Sequence, residues 1–243
     1  MKKKNKDKLL IVGIGTTAIQ IYNFATHYSL FEVIGFAVNE KYYKNKEFLN
    51  SHVYKIEELD NKIDKNNIHI FVAMQWNRLN KDRKDLYLNL KQKGYKFGTL
   101  ISPNAIIQAG VKVGENCWIS DNVVIESSCN IERNVFVKSN VWIGHLSEVK
   151  QHSFIGACSV IGGEVIIEEQ CFVGMGSIVF NQINIGKKCI IGSGTIIKKS
   201  LSDFSIVKTK SDNYIIESYS EETIENKLLA NYYNGKFNDN SSS

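Results

Sequence analysis

The chain has 243 residues, 43% of them hydrophobic and 23% charged, a balance that excludes wholesale disorder and leaves ample apolar material for a buried core. No stretch approaches the roughly 18 uncharged apolar residues that a membrane helix needs. Thirty basic against 25 acidic residues give a net charge of +5, and the basic residues are dispersed apart from the leader MKKKNKDK, so nucleic-acid binding gains little support. That leader reads as a solvated tail before the short apolar run LLIVGIG, with no cleavage-site pattern after it, and a cytoplasmic protein is expected.

In chain order, KLLIVGIGTTAIQIYNFATHY reads as a buried strand, a glycine turn and a helix, and FEVIGFAVNE as a second strand ending in polar residues. The turn G-I-G-T-T-A fits a dinucleotide fingerprint with Ala18 at the third glycine position, and Glu40 lies near the offset where an acid meets a ribose. Gly13, Gly15 and Thr16 would bring backbone amides to a phosphate at the helix N-terminus. IHIFVAM is a third strand, and NRLNKDRKDLYLNLKQKGYKF a helix that Gly94 stops. An open α/β, Rossmann-like domain is therefore predicted over residues 1–100.

From Ile101 the sequence divides into 17 consecutive sixes without an insertion. Every first position is Ile or Val, and 15 of 17 fifth positions are Ala, Ser, Thr, Cys or Val. A branched residue pointing inward, followed four residues later by a small one at a corner, predicts a three-sided parallel β-helix over 101–207, with residues 18 apart stacked one strand spacing from each other. Cys117, Cys129, Cys171 and Cys189 fall at the small inward position and Cys158 does not. Residues 208–243 are predicted to hold a C-terminal helix and tail. Its start is set by a Ser218 to Glu221 capping pattern, and Ile224, Leu228 and Tyr232 share one face.

This repeat resembles the left-handed β-helix of hexapeptide acyltransferases. VGIGTTA, GFAVNE, VAMQWNRLNKDR and GTLISPNA before the repeat make the chain similar to the NeuD/PglD-like sugar acetyltransferases over about residues 8–207. The resemblance implies a trimer with active sites between subunits, acetyl-CoA as the acyl donor, and a nucleotide-linked sugar held by the first domain. It also implies a role in surface glycan biosynthesis. By the same resemblance, Gly13, Gly15, Thr16, Asn39, Glu40 and Asn77 are substrate-binding candidates, with Asn39 standing where the family has an acid. NAD is the competing ligand for such a turn.

Acyl transfer needs a base for the acceptor's proton and donors for the oxyanion. Of five histidines only His145 and His152 lie on the repeat. His145 is the third residue of IGHLSE, facing outward, with Gly163 one coil above it, so a bare slot beside the imidazole is expected. The family's catalytic histidine falls at this place. Many relatives carry an acid immediately after it; here that position is Leu146, which leaves Glu148 or a backbone carbonyl to orient the ring. His152 is a second candidate, for substrate contact, as an alternate base or at a subunit contact. Family register places Gly163, Met175 and Ser193 along the CoA channel, with Gly176 beside them, and Lys198, in the last six, is a candidate for the CoA phosphates or one of a solvated lysine pair. Two solenoid histidines do not make the three-histidine zinc site of some β-helix trimers, and no metal is expected. The resulting expectation is an acetyl-CoA-dependent N-acetyltransferase. Sugar O-acetylation, which uses the same base, and a noncatalytic nucleotide-binding solenoid stand as alternatives.

Overall fold

The computed structural model describes residues 6–210 and 213–224. The first domain is a five-stranded sheet in the order β3-β4-β2-β1-β5, built from β1 (Lys8–Val12), β2 (Glu32–Val38), β3 (Glu47–Phe48), β4 (Ser51–Lys55) and β5 (Ile68–Val72). Strands β4, β2, β1 and β5 run parallel, and β3 turns back on β4. Helix α1 (Thr16–His27) covers one face with Ala18, Ile21, Phe24 and Ala25. A short α2 (Leu59–Lys62) and α3 (Lys81–Gln92) pack against the other, where Tyr87 and Leu90 join Leu10, Val12 and Ile70. The helix predicted from Asn77 begins only at Lys81, because Arg78, Leu79 and Asn80 take three successive left-handed conformations. The predicted stop at Gly94 is present, with φ +81.

The second domain is a parallel β-helix of two-residue strands stacked in three sheets, as the hexad phase requires. First positions from Ile119 to Ile197 are buried, and with the small fifth positions they fill one continuous core. The four inward cysteines are buried and Cys158 is exposed. Each edge turns through a residue at the fourth position with positive φ, an asparagine at 116, 122, 134 and 140. Asn tolerates this region better than other non-glycine residues. Leu146 and His152 occupy the same strained place, at φ 57 and 66.

The outward residues distinguish the faces. One carries Leu100, Trp118, Phe136, Phe154 and Phe172 at an 18-residue spacing and is covered by the first domain. There Phe71 stacks on Phe136 at 5.7 Å, and Trp76 lies 4.8 Å from Phe154 and 5.6 Å from Phe172. The Arg83 guanidinium sits 4.0 Å over the Phe136 ring and donates to the carbonyls of Asn134, His152 and Ser153. A second face is mostly polar, with Lys112, Asn130, Glu148 and Asn184 in one column interrupted by Ile166. The third is apolar and open: Ile106, Val160, Ile178 and Ile196 are all exposed on it.

Ser205–Lys210 continues the last coil beside Ile190–Ile191 and pairs antiparallel with Asn213–Ser218, a hairpin the sequence reading did not include. Ser218 therefore ends a strand. The residue that caps the following helical turn is Ser220, whose Oγ accepts the Thr223 N–H at 3.3 Å. Leu228 and Tyr232 lie outside the described residues. Among the described residues no helix is long and apolar enough to cross a membrane.

Candidate active site

At the carboxyl ends of β1, β2 and β5 a cleft of about 500 Å³ opens, lined by Gly13, Gly15, Thr16, Asn39 and Asn77 together with Tyr42, Lys44 and Met74. Gly13 has φ +130, and a Cβ there would stand 2.9 Å from the Ala73 carbonyl oxygen, so the tight turn needs glycine. Helix α1 starts beside it with no side-chain cap and no acid in its first turn. Its first amides are thus free to meet an anion. Glu40 stands beside this lining and not in it: its carboxylate takes the Lys55 ammonium at 2.7 Å, and its own N–H donates to Glu57 at 3.0 Å. Asn39 Nδ2 also reaches Glu57, at 3.3 Å.

His145 stands on the edge between the apolar and polar faces, its side chain 51% exposed. Gly163 lies above it as the register predicts, but the slot is filled by the ring itself. A Cβ on Gly163 would fall 2.6 Å from His145 Cε1, 2.9 Å from Nδ1 and 3.0 Å from Nε2. The Gly163 N–H donates to Asn181 Oδ1 at 3.0 Å. Neither orienting candidate from the sequence is used. Glu148 is paired with Lys150 on the polar face, and the acid at the imidazole is Glu126, from the coil below. Its Oε2 accepts the His145 backbone N–H at 2.9 Å and lies 3.3 Å from Nδ1. Leu146 points its side chain outward, 57% exposed.

His152 is a correction. It is 1% exposed, enclosed where α3 covers the edge between the polar and aromatic faces, and its Nδ1 meets Asn134 Nδ2 at 2.8 Å. Asn134 in turn accepts from Asn116 at 2.7 Å, and Asn116 accepts the Val72 N–H at 2.8 Å, so the column ties the two domains together. Burial, reinforced by Arg83, Lys84 and Arg133, pushes the imidazole down to about 3. It is a structural group, neither exposed nor placed to take a substrate proton.

Met175, Gly176 and Ser193 share the edge between the aromatic and apolar faces, so in one chain the apolar face separates them from His145 and Gly163. Met175 is 58% exposed. The glycines along this edge divide by cause. A Cβ on Gly156 or Gly174 would strike the backbone of the next coil at 2.6 and 2.5 Å, a demand of the stacking itself. Gly176 and Gly194, at φ +67 and +69, have nothing within 4 Å and leave bare backbone open to a ligand. Lys198 is on the His145 edge, its ammonium 5.8 Å from the centre of the Phe180 ring. Among the described residues no three His, Cys, Asp or Glu side chains cluster as metal ligands.

The family described as the GMPPB C-terminal domain matches residues 99–197. No curated protein matches the sequence. Among solved structures, a histidine mutant of perosamine N-acetyltransferase from Caulobacter crescentus, in complex with CoA and GDP-perosamine, superposes with a TM-score of 0.76 at 19% identity, over 87% of this chain and 97% of that one. The acetyltransferase domain of PglB from Neisseria gonorrhoeae gives 0.75 at 19% identity, over 86% and 100%. WeeI from Acinetobacter baumannii gives 0.74 at 15%, over 85% and 99%. An α/β domain joined to a three-sided β-helix, matched along nearly the whole of each neighbour, gives this chain the fold of the NeuD/PglD-like sugar acetyltransferases.

Proposed function

We propose that this chain is an acetyl-CoA-dependent N-acetyltransferase acting on a nucleotide-linked amino sugar, with His145 as general base. The observation that carries the reading is the imidazole itself. It is half-exposed on an edge of the prism, braced by Glu126 on one side and by the bare Cα of Gly163 on the other, and it borders an apolar face with no cover in the single chain. The cleft beside Gly13 and Gly15 suits a nucleotide diphosphate at the start of α1. The pairing of CoA with GDP-perosamine in the Caulobacter structure supports the same two substrate classes.

His145 Nε2 takes a proton from the acceptor amine as its nitrogen attacks the thioester carbonyl. The oxyanion that develops is held by backbone N–H donors, and the imidazolium returns its proton to the departing CoA thiolate. The apolar face favours assembly through it, and because it runs between the two edges a cyclic trimer would set the His145 edge of one copy against the Met175–Gly176 edge of the next. CoA would then lie in that groove, with Ser193 and Lys198 along its walls.

Thiol release from acetyl-CoA, measured with nucleotide-linked amino sugars and with their hydroxyl analogues, tests the reading. Release with the amine acceptor supports it. Release only with the hydroxyl acceptor selects O-acetylation, and nucleotide binding without release from any acceptor selects the noncatalytic solenoid.

A further inference from the structure

The column beneath His145 holds an internal control that separates scaffolding from chemistry. At the second position of the sixes, one coil apart, stand Gln108 and then Glu126. Gln108 Oε1 accepts the backbone N–H of Ser127 at 3.0 Å, and Glu126 Oε2 accepts that of His145 at 2.9 Å. On the neighbouring edge Glu132 does the same for Gln151 at 3.1 Å. Capping the next coil is therefore a recurrent duty of this position, and a neutral amide performs it as well as a carboxylate. The charge on Glu126 is not needed for the cap.

Glu126 differs from the other two in what else its oxygen meets. Glu132 also lies 3.4 Å from the Lys150 ammonium, whereas among the described residues the only ion-pair partner of Glu126 is the His145 imidazole. A carboxylate can only accept, so the Nδ1 facing it carries the hydrogen and Nε2 presents its lone pair outward. The backbone bond fixes the same oxygen independently of the ring. Leu146, exposed at a left-handed corner, supplies no acid from the position after the histidine.

We propose that Glu126 is the positioning carboxylate of His145, contributed from the preceding coil, setting the ring's tautomer and stabilising the imidazolium formed when Nε2 takes the acceptor's proton. This rests on the reading of His145 as base. The proton passes from acceptor nitrogen to Nε2 and on to the CoA thiolate; Glu126 stays ionised throughout.

The test is Glu126→Gln, which converts this position into a second Gln108, with Glu132→Gln as the matched control at a cap away from the site. Both variants should unfold at the wild-type temperature and bind both substrates with unchanged KM. Glu126→Gln should lose about tenfold or more in kcat, the scale of one carboxylate beside a forming cation in a partly screened site, while Glu132→Gln loses nothing. A wild-type kcat in Glu126→Gln overturns the proposal and leaves Glu126 a cap. A nitrogen-15 spectrum of the imidazole gives a readout independent of turnover. The wild type should show His145 as the Nδ1–H tautomer, and Glu126→Ala should lose that preference. A wild-type Nε2–H tautomer overturns the proposal even if acetyl transfer is established. An Nδ1–H tautomer in a protein that acetylates no acceptor would uphold the contact and remove the catalytic reading instead.

Discussion

Replacing Gly163 with alanine adds one methyl group at the most sensitive point of the site. Its carbon would lie 2.6 Å from His145 Cε1, where a comfortable carbon contact is about 3.5 Å, so a displacement of about 1 Å is required. The Gly163 backbone has an ordinary φ and is fixed by the coils around it, while the imidazole is the exposed end of a flexible side chain. The ring must therefore yield. Moving it strains the 3.3 Å contact to Glu126 and, in the proposed mechanism, swings Nε2 away from the acceptor. A misplacement of about 1 Å costs roughly a hundredfold in rate, while an off-rotamer exposed ring costs only about 1 kcal/mol of stability. Gly163→Ala should thus fall about a hundredfold in kcat for thiol release, with a melting temperature close to wild type. Turnover at the wild-type rate, or a crystal structure of the variant with the ring unmoved, would refute this expectation. Loss of the fold would refute it too, since the clash is assigned to a group free to move aside.

Two other outcomes follow from the architecture. His152 is held neutral in the folded chain down to about pH 3, whereas the unfolded imidazole takes up a proton near 6.5. Its contribution is complete above pH 6.5 and is lost as pH falls from there toward 3, about 2 kcal/mol by pH 5. Melting temperatures measured from pH 7 to pH 4.5 should fall less steeply in His152→Asn, a residue already used at Asn116 and Asn134 in the same column; identical slopes would contradict this. Ile178→Asp puts a charge on the open apolar face and should reduce the mass in light scattering from that of the proposed trimer to the 27.6 kDa chain, with thiol release lost alongside. An unchanged mass would exclude that face as the subunit contact.

The β-helix was legible because one inward position repeats without slipping from Ile101 to Ile197. The first strand, turn and helix were legible from their apolar runs, but β3 and β4 were not: in Ser51–Lys55 only Val53 is buried, too little periodicity to mark a strand. That omission hid Lys55, the ion-pair partner of Glu40. The burial of His152 was not legible, because a repeat says which way a side chain points and not what lands on it; α3 and Arg83 land there. The 18-residue ladder of Trp118, Phe136, Phe154 and Phe172 carried that information, since outward aromatics on one face need a cover. Glu126 is remote from His145 in sequence, so the residues flanking the histidine do not point to it. Counting 19 back, one coil and one step, reaches it, and the same offset links Gln108 to Ser127.

In the proposed mechanism His145 takes the acceptor's proton during acetyl transfer. Thiol release from acetyl-CoA in the presence of a nucleotide-linked amino sugar, compared between wild type and His145→Ala, tests it directly. The wild type should release thiol steadily and the variant at least a hundredfold less, with acceptor binding retained. A variant that turns over near the wild-type rate would contradict it.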